Sequence, residues 1–168
     1  MEIRAELESD HAEVFTVNQL AFDQDDESRI IEKIRESPHF VPELSLVAIN
    51  NNELIGHILF SRLQINGAQE HTSLALAPMA VRPDHQKQGV GGKLIAEGFK
   101  RALQLGFDSV IVLGHKDYYP RFGFKRASTW NIKCPFNVPD NAFMAIELKP
   151  NALKDKRGTV RYADALME

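Results

Sequence analysis

The residues with the most chemical content form one short run, Gln86-Lys87-Gln88-Gly89-Val90-Gly91-Gly92. Glycines at 89, 91 and 92 let the backbone curl until several N–H groups point into one small space. An amphipathic helix pattern starts at the same place, and the positive end of its dipole adds to them. Such a combination binds an anion, most naturally a phosphate or diphosphate. A Walker A loop would require glycine at 87 and Ser or Thr at 94, where Lys87 and Leu94 stand. A dinucleotide fingerprint counted from Gly89 would require a third glycine at 94 and an early βαβ strand before it. Neither pattern is met. A tight strand-to-helix turn without a ligand is the plainer alternative.

The elements that must hold this loop are legible on both sides of it. Thr72–Val81 is rich in β-formers, follows a polar turn at Asn66–Gln69 and leads through Pro83 into the loop. Pro78 cannot donate to a ladder, so this strand carries an edge or a bulge there. Gly89–Gly106 has the helical period, with Val90, Leu94, Ile95, Phe99, Ala102 and Leu103 on one face and Lys93, Glu97, Lys100 and Arg101 on the other. Gly106 is its stop. Upstream, Leu46–Ile49 and Leu54–Ile65 flank Asn50-Asn51-Asn52, a hairpin signature, so three antiparallel strands follow in series. Ile3–Leu7 reads as a strand. Ser9 or Asp10 caps a helix carrying Val14, Val17 and Ala21, and Asp25 or Asp26 caps a second with Ile30, Ile31 and Ile34. Pro38, within Ser37–Pro42, breaks that second helix. Downstream come a fully apolar central strand at Ser109–Leu113, a brief helix at Lys116–Arg121 and a last strand at Phe143–Leu148. The tail from Asn151 is weakly patterned. One α/β domain with a mixed sheet, spanning 1–168, is the expected architecture.

Composition sets the wider bounds. The chain is 43% hydrophobic and 26% charged with a formal net charge of −3, which excludes collagen, coiled coil and intrinsic disorder. It has no Lys/Arg run of the kind nucleic acid requires. Cys134 is the only cysteine, so no intrachain disulfide forms. Residues 1–10 carry four acidic groups, unlike a signal peptide, and no run approaches the ~20 apolar residues of a membrane span. The six histidines show no metal-ligand spacing. A cytoplasmic protein without metal, nucleic-acid or membrane partners is expected.

The loop resembles the acyl-CoA signature of the GNAT acetyltransferase superfamily, Gln/Arg-x-x-Gly-x-Gly/Ala, through Gln86, Gly89 and Gly91, preceded by Met79-Ala80-Val81 and Pro83. Lys87 departs from it, at a position where glycine is frequent. Val110–Phe124 resembles the second conserved region of that family, an apolar strand and short helix ending in Tyr-x-x-x-Gly-Phe. The form Tyr-Tyr-Pro-Arg-Phe-Gly-Phe, with Ala142–Leu148 and Gly158–Tyr162, is similar to the YhbS-like branch. The resemblance implies a mixed, mostly antiparallel sheet flanked by helices, and acetyl-CoA as cosubstrate. Backbone groups of Met79, Ala80 and Val81 would then bind pantetheine, and Lys87, Gln88, Gly89, Val90, Gly91 and Gly92 would hold the diphosphate. N–H groups near Ala80 and Val81 would stabilise an oxyanion. Tyr119 takes the position of the usual general acid, with Tyr118 in packing.

The implied reaction moves acetyl to a primary amine, of a small molecule or a protein, by direct attack in a ternary complex. A non-catalytic acyl-CoA-binding module on the same fold is the alternative, and a homodimer is compatible with the resemblance. A phenol of pKa ~10 is protonated at neutral pH and can supply the thiolate, of pKa ~8.5, with its proton. A base is less evident, because Leu74–Val81 carries no carboxylate. His57, His71, His115 and Asp117 are stand-ins for which structural roles suffice, and His11, His39 and His85 have helix, loop or solvent readings. Asp23, Asp25, Asp26 and Glu27 occupy the region that overhangs the acceptor in this family, although a solvated helix N-terminus also accounts for them.

Overall fold

The computed structural model of the chain describes residues 1–167. Phe40–Asn50 (β2), Glu53–Asn66 (β3) and Glu70–Val81 (β4) pair antiparallel in series. Asn51 and Asn52 make the first turn with φ of 51° and 61°, the left-handed backbone that asparagine tolerates best after glycine. Glu2–Ala5 (β1) pairs with the outer edge of β2. Beyond β4, Ser109–Leu113 (β5) adds in parallel and Phe143–Glu147 (β8) adds antiparallel, with the two-residue Lys125–Arg126 (β6) outermost. This is the mixed, mostly antiparallel sheet that the resemblance implied.

Alternation along β2 sends neighbouring side chains to opposite faces. Leu46 and Ala48 pack with Ile58, Phe60 and Leu74 beneath the helix Val90–Gln104 (α3), through Leu94, Ile95 and Ala102. Val47 and Leu59 face the helices His11–Phe22 (α1) and Asp26–Arg35 (α2), through Val14, Val17, Ile31 and Ile34. Helices therefore cover both faces. Leu103 corrects the expected apolar stripe of α3: nine residues from Leu94 put it half a turn away, and it is exposed. Asp10 and Asp25 stand at the helix starts but cap through neither side chain. The Asp10 carboxylate instead accepts the Leu7 N–H and pairs with Arg4, both at 2.7 Å.

The C-terminal third differs most from the sequence reading. No α-helix forms at Lys116–Arg121; a single 3-10 turn spans Tyr119–Phe122, because Pro120 lacks an N–H and Gly123, at φ 102°, ends the turn. Phe143–Leu148 is not the last strand. Ile132–Lys133 (β7) pairs with Gly158–Arg161 (β9), and β9 takes the edge of β3 at Gln64–Asn66 that β2 leaves free. Leu153, Val160 and Tyr162 are buried with Leu63 and Ile65, which docks the tail and brings Asp164–Met167 (α4) back against α2. No helix among the described residues is long and apolar enough to cross a membrane.

A polar group lies within the α1–α2 side of the core. His57 is fully buried between Ser45 Oγ at 3.0 Å and Asn18 Nδ2 at 3.4 Å, with Glu6 at 4.0 Å. Burial pushes the Glu6 carboxyl up, but the bidentate Arg35 guanidinium and its other polar neighbours together outweigh it and hold the group below its ordinary value. Burial pushes the His57 imidazole down to about 4. The unfolded chain, with a histidine near ~6.5, binds the proton that the folded chain refuses. The contribution of neutral His57 is thus complete above pH ~6.5 and lost progressively towards pH ~4, by up to ~3 kcal/mol. Unfolding midpoints measured between pH 7 and 4.5 should fall accordingly, and His57→Gln should remove that part of the slope.

Candidate functional site

The site arises where two neighbouring strands part. β4 and β5 pair only at Leu74–Val110 and Ala75–Ile111. Immediately beyond, the Ala77–Pro78 bond is cis and the β3–β4 register slips between Ile58 and Phe60. Pro78 thus sits at a bulge, as its missing N–H requires. The end of β4 remains tied to β3, since the Arg82 N–H donates to the Ile55 carbonyl at 2.8 Å. Alternation then turns the backbone groups of Ala80 towards β3 and those of Met79 and Val81 towards the gap. Gln86 agrees with this parity, because its Nε2 donates to the Val81 carbonyl at 3.0 Å.

One cavity of about 770 Å³ opens between β4 and the loop. Met79, Val81, Lys87, Gly89, Val90, Gly91 and Gly92 line it, together with Gln86. Ala80 and Gln88 do not; Ala80 is buried on the helix-covered side with Val14 and Val17. Gly89 precedes α3 at φ 83°. A side chain on Gly91 would begin 2.7 Å from the Tyr118 hydroxyl, so glycine lets the helix start and the Tyr118 ring pass this close without displacing either. The sequence reading missed Arg121, whose guanidinium lies 5.1 Å from the Tyr118 ring centroid and which lines this cavity with Phe122 and His85. Its signal was present in the Tyr-Tyr-Pro-Arg-Phe-Gly-Phe motif. Lys87, Arg121, the loop N–H groups and the α3 dipole together suit an anion.

Lys87 also explains its own departure from the resemblance. Its φ is 63°, left-handed backbone that favours glycine. Lys87→Gly should therefore stabilise the fold by ~0.5–1 kcal/mol in urea unfolding, while Lys87→Ala, which keeps the strain, should not.

A second cavity, of about 500 Å³, shares Phe22, Met79 and Tyr118 with the first. Tyr119 lines it, with its ring edge-on to Tyr118 and Phe124 at centroid distances of 5.1 and 5.6 Å. Burial, then the neighbouring Tyr118, push the Tyr119 phenol up to about 12. Burial also raises Tyr118, against the pull of Arg121. Among the described residues the Tyr119 hydroxyl has no hydrogen-bond partner, so its proton is free for whatever enters. Of the stand-in bases only His115 lines this cavity. His57 is sealed in the core, His71 pairs with Asp108 at 2.9 Å, and Asp117 lines neither cavity. Of the acidic cluster, Glu27 reaches the cavity wall, while Asp25 is engaged with Gln19 and Arg29. Leu166, also missed, arrives only because β9 docks the tail.

Among the described residues no Ser, Thr or Cys lines either cavity, and Cys134 packs elsewhere with Phe136. The arrangement thus offers an anion seat, a strand edge, a protonated phenol and a carboxylate with an imidazole, and, among the described residues, no serine, threonine or cysteine nucleophile to carry an acyl group.

Residues 5–124 match the Acetyltransferase (GNAT) family. The chain is 36% identical over 134 residues to the uncharacterized N-acetyltransferase YjhQ of Escherichia coli K12, covering 79% of this chain and 74% of that one. A crystal structure of the GNAT family N-acetyltransferase YhbS from E. coli, in complex with CoA, is similar with a TM-score of 0.93 and 27% identity, covering 99% of this chain and 92% of that one. A GNAT family acetyltransferase from Brucella melitensis, in complex with acetyl-CoA, is similar with a TM-score of 0.80 and 32% identity, covering 98% and 97%.

Proposed function

Because the chain belongs to the GNAT acetyltransferase family, we propose that residues 1–168 act as one N-acetyltransferase domain, moving acetyl from acetyl-CoA to a primary amine within a ternary complex. The observation that carries this reading is the meeting of two cavities at Met79 and Tyr118, with the protonated Tyr119 on the far side. The coenzyme's diphosphate sits on the loop N–H groups and the α3 start, beside Lys87 and Arg121. Pantetheine runs along the open edge of β4, pairing with Met79 and Val81 much as an added peptide strand would. Ala80, turned to β3, contributes through packing. This path delivers the thioester to the junction and leaves the second cavity for the amine.

Nitrogen attacks the thioester carbon, the C–N bond forms, and negative charge gathers on the carbonyl oxygen. The open-side N–H of Met79 receives that oxygen, which leaves the Val81 N–H to pantetheine. The C–S bond then breaks, and the leaving sulfur takes the Tyr119 proton. With a phenol near 12 and a thiol near ~8.5, transfer to the freed thiolate would by itself be uphill by ~5 kcal/mol, so it proceeds together with return of a proton to the phenol. The nitrogen's surplus proton restores the phenol. One proton has passed from nitrogen to sulfur and the charges balance. An amine that arrives as ammonium first loses a further proton, for which the His115 imidazole on the cavity wall is the candidate acceptor.

Release of free thiol from acetyl-CoA, followed across a panel of amines with the acetylated product weighed by mass spectrometry, tests this. Thiol should appear only when an amine is present. Tight CoA binding with no turnover on any amine would replace the enzyme with an acyl-CoA-binding module.

A further inference from the structure

We propose that the acceptor is a small primary monoamine on an apolar body, and that Glu27 is the positioning residue that seats its ammonium. This rests on the second cavity being the amine site. At about 500 Å³ that cavity is of small-molecule size. Phe22, Ile30, Leu76, Pro78, Leu113 and Leu166 make its walls. Phe22 and Leu113 are 38% and 41% exposed, large apolar side chains that an apolar occupant would cover.

The polar groups narrow the class further. Among the described residues Glu27 is the only carboxylate on the wall, and no Lys or Arg lines it. A polyamine would press its remaining cations against apolar walls without partners, at high desolvation cost. An amino acid would bring a carboxylate beside Glu27, and no Lys or Arg among the described residues lines the cavity to receive it. An aminoglycoside would leave most of its many hydroxyls unbonded, since among the described residues only Glu27, His115, Tyr118 and Tyr119 bring polar side chains to the cavity. A monoamine leaves none of these groups stranded. Glu27 is pre-set for it: both carboxylate oxygens accept from Gln24 Nε2, at 2.9 and 3.2 Å, and lone pairs remain for an ammonium.

The test compares kcat/KM for phenethylamine and hexylamine with those for spermidine, lysine, kanamycin and a peptide beginning with Met. The two monoamines should lead by about tenfold or more. Glu27→Gln should raise KM for the monoamines about tenfold, with little change in kcat and an unchanged calorimetric Kd for CoA, and Glu27→Asp should recover part of the loss. A lead for spermidine, lysine, kanamycin or the peptide would overturn the proposal and leave the acetyltransferase reading intact. So would a Glu27→Gln variant with unaltered amine KM. No turnover on any amine, with CoA still bound, would sink that reading and this proposal with it.

Discussion

Tyr119→Phe is expected to lower kcat by ~10²–10³-fold while the Kd for CoA and the KM for the amine stay within about twofold. The substitution removes one oxygen and keeps the ring, so the edge-on contacts with Tyr118 and Phe124 survive and the wall of the cavity is preserved. What disappears is the proton proposed to meet the departing sulfur. Burial sharpens the expectation. A phenol near 12 stays protonated throughout the working range, so wild-type kcat should rise with pH as the amine deprotonates and show no falling limb below pH ~10. A falling limb near neutrality, or equal losses in turnover and CoA affinity, would remove Tyr119 from the acid role. The hydroxyl breaks no hydrogen bond within the described residues when deleted, so the variant should unfold within ~0.5 kcal/mol of wild type.

Gly91→Glu is expected to weaken CoA binding by at least ~100-fold, or ~2.7 kcal/mol, with the fold retained. The new side chain starts 2.7 Å from the Tyr118 hydroxyl and 3.2 Å from Met79 Cε, and ends in a carboxylate where the loop gathers positive potential. Gly91→Ala separates bulk from charge. Alanine favours α3 over glycine by ~1 kcal/mol, so stability should hold or rise while CoA affinity drops several-fold as Tyr118 is displaced. Tyr118→Phe in the same chain removes the clashing oxygen and should return most of that affinity. Calorimetry on the four proteins of this cycle checks it. Independent, additive effects would mean that Tyr118 does not press on the loop.

Periodic features of this chain were readable without coordinates. The double-asparagine turn, the stripe of α3 through Leu94 and Ala102 and the break at Pro78 each follow from a local rule, and the structure holds all three. The glycine loop was legible because rival phosphate motifs fail at Lys87 and Leu94. Where reading failed, the cause is non-local. The parity of Ala80 is set by the Arg82–Ile55 bond across the sheet, which no pattern in β4 encodes. Leu166 reaches the cavity only through the pairing of β9 with β3, a contact between residues nearly a hundred positions apart. Lys87 hides its left-handed backbone because its side chain carries no sign of it; only the glycine preference at that place in the family hinted at it. The acidic run before α2 looked uniform, yet helix phase turns Glu27 to the cavity and Asp25 to Arg29.

The parting of β4 and β5 after two residue pairs has a mechanical side. It divides the sheet into a block of β1 to β4 and a block of β5, β8 and β6; two rungs, the Ser73–Ser109 and His71–Asp108 contacts and side-chain packing on both faces hold them at one end, and the other end is open. A molecule laid along the open edge would act as a tie bar between them. Amides at the end of β5 and in the 3-10 turn at Tyr119–Phe122 should therefore exchange with solvent faster than those of β3 in the empty protein. Loading with CoA should slow them selectively and raise the melting temperature with ligand concentration. The crack in the sheet would then be its most ligand-responsive joint, and the enzyme would be stiffest when charged with its donor.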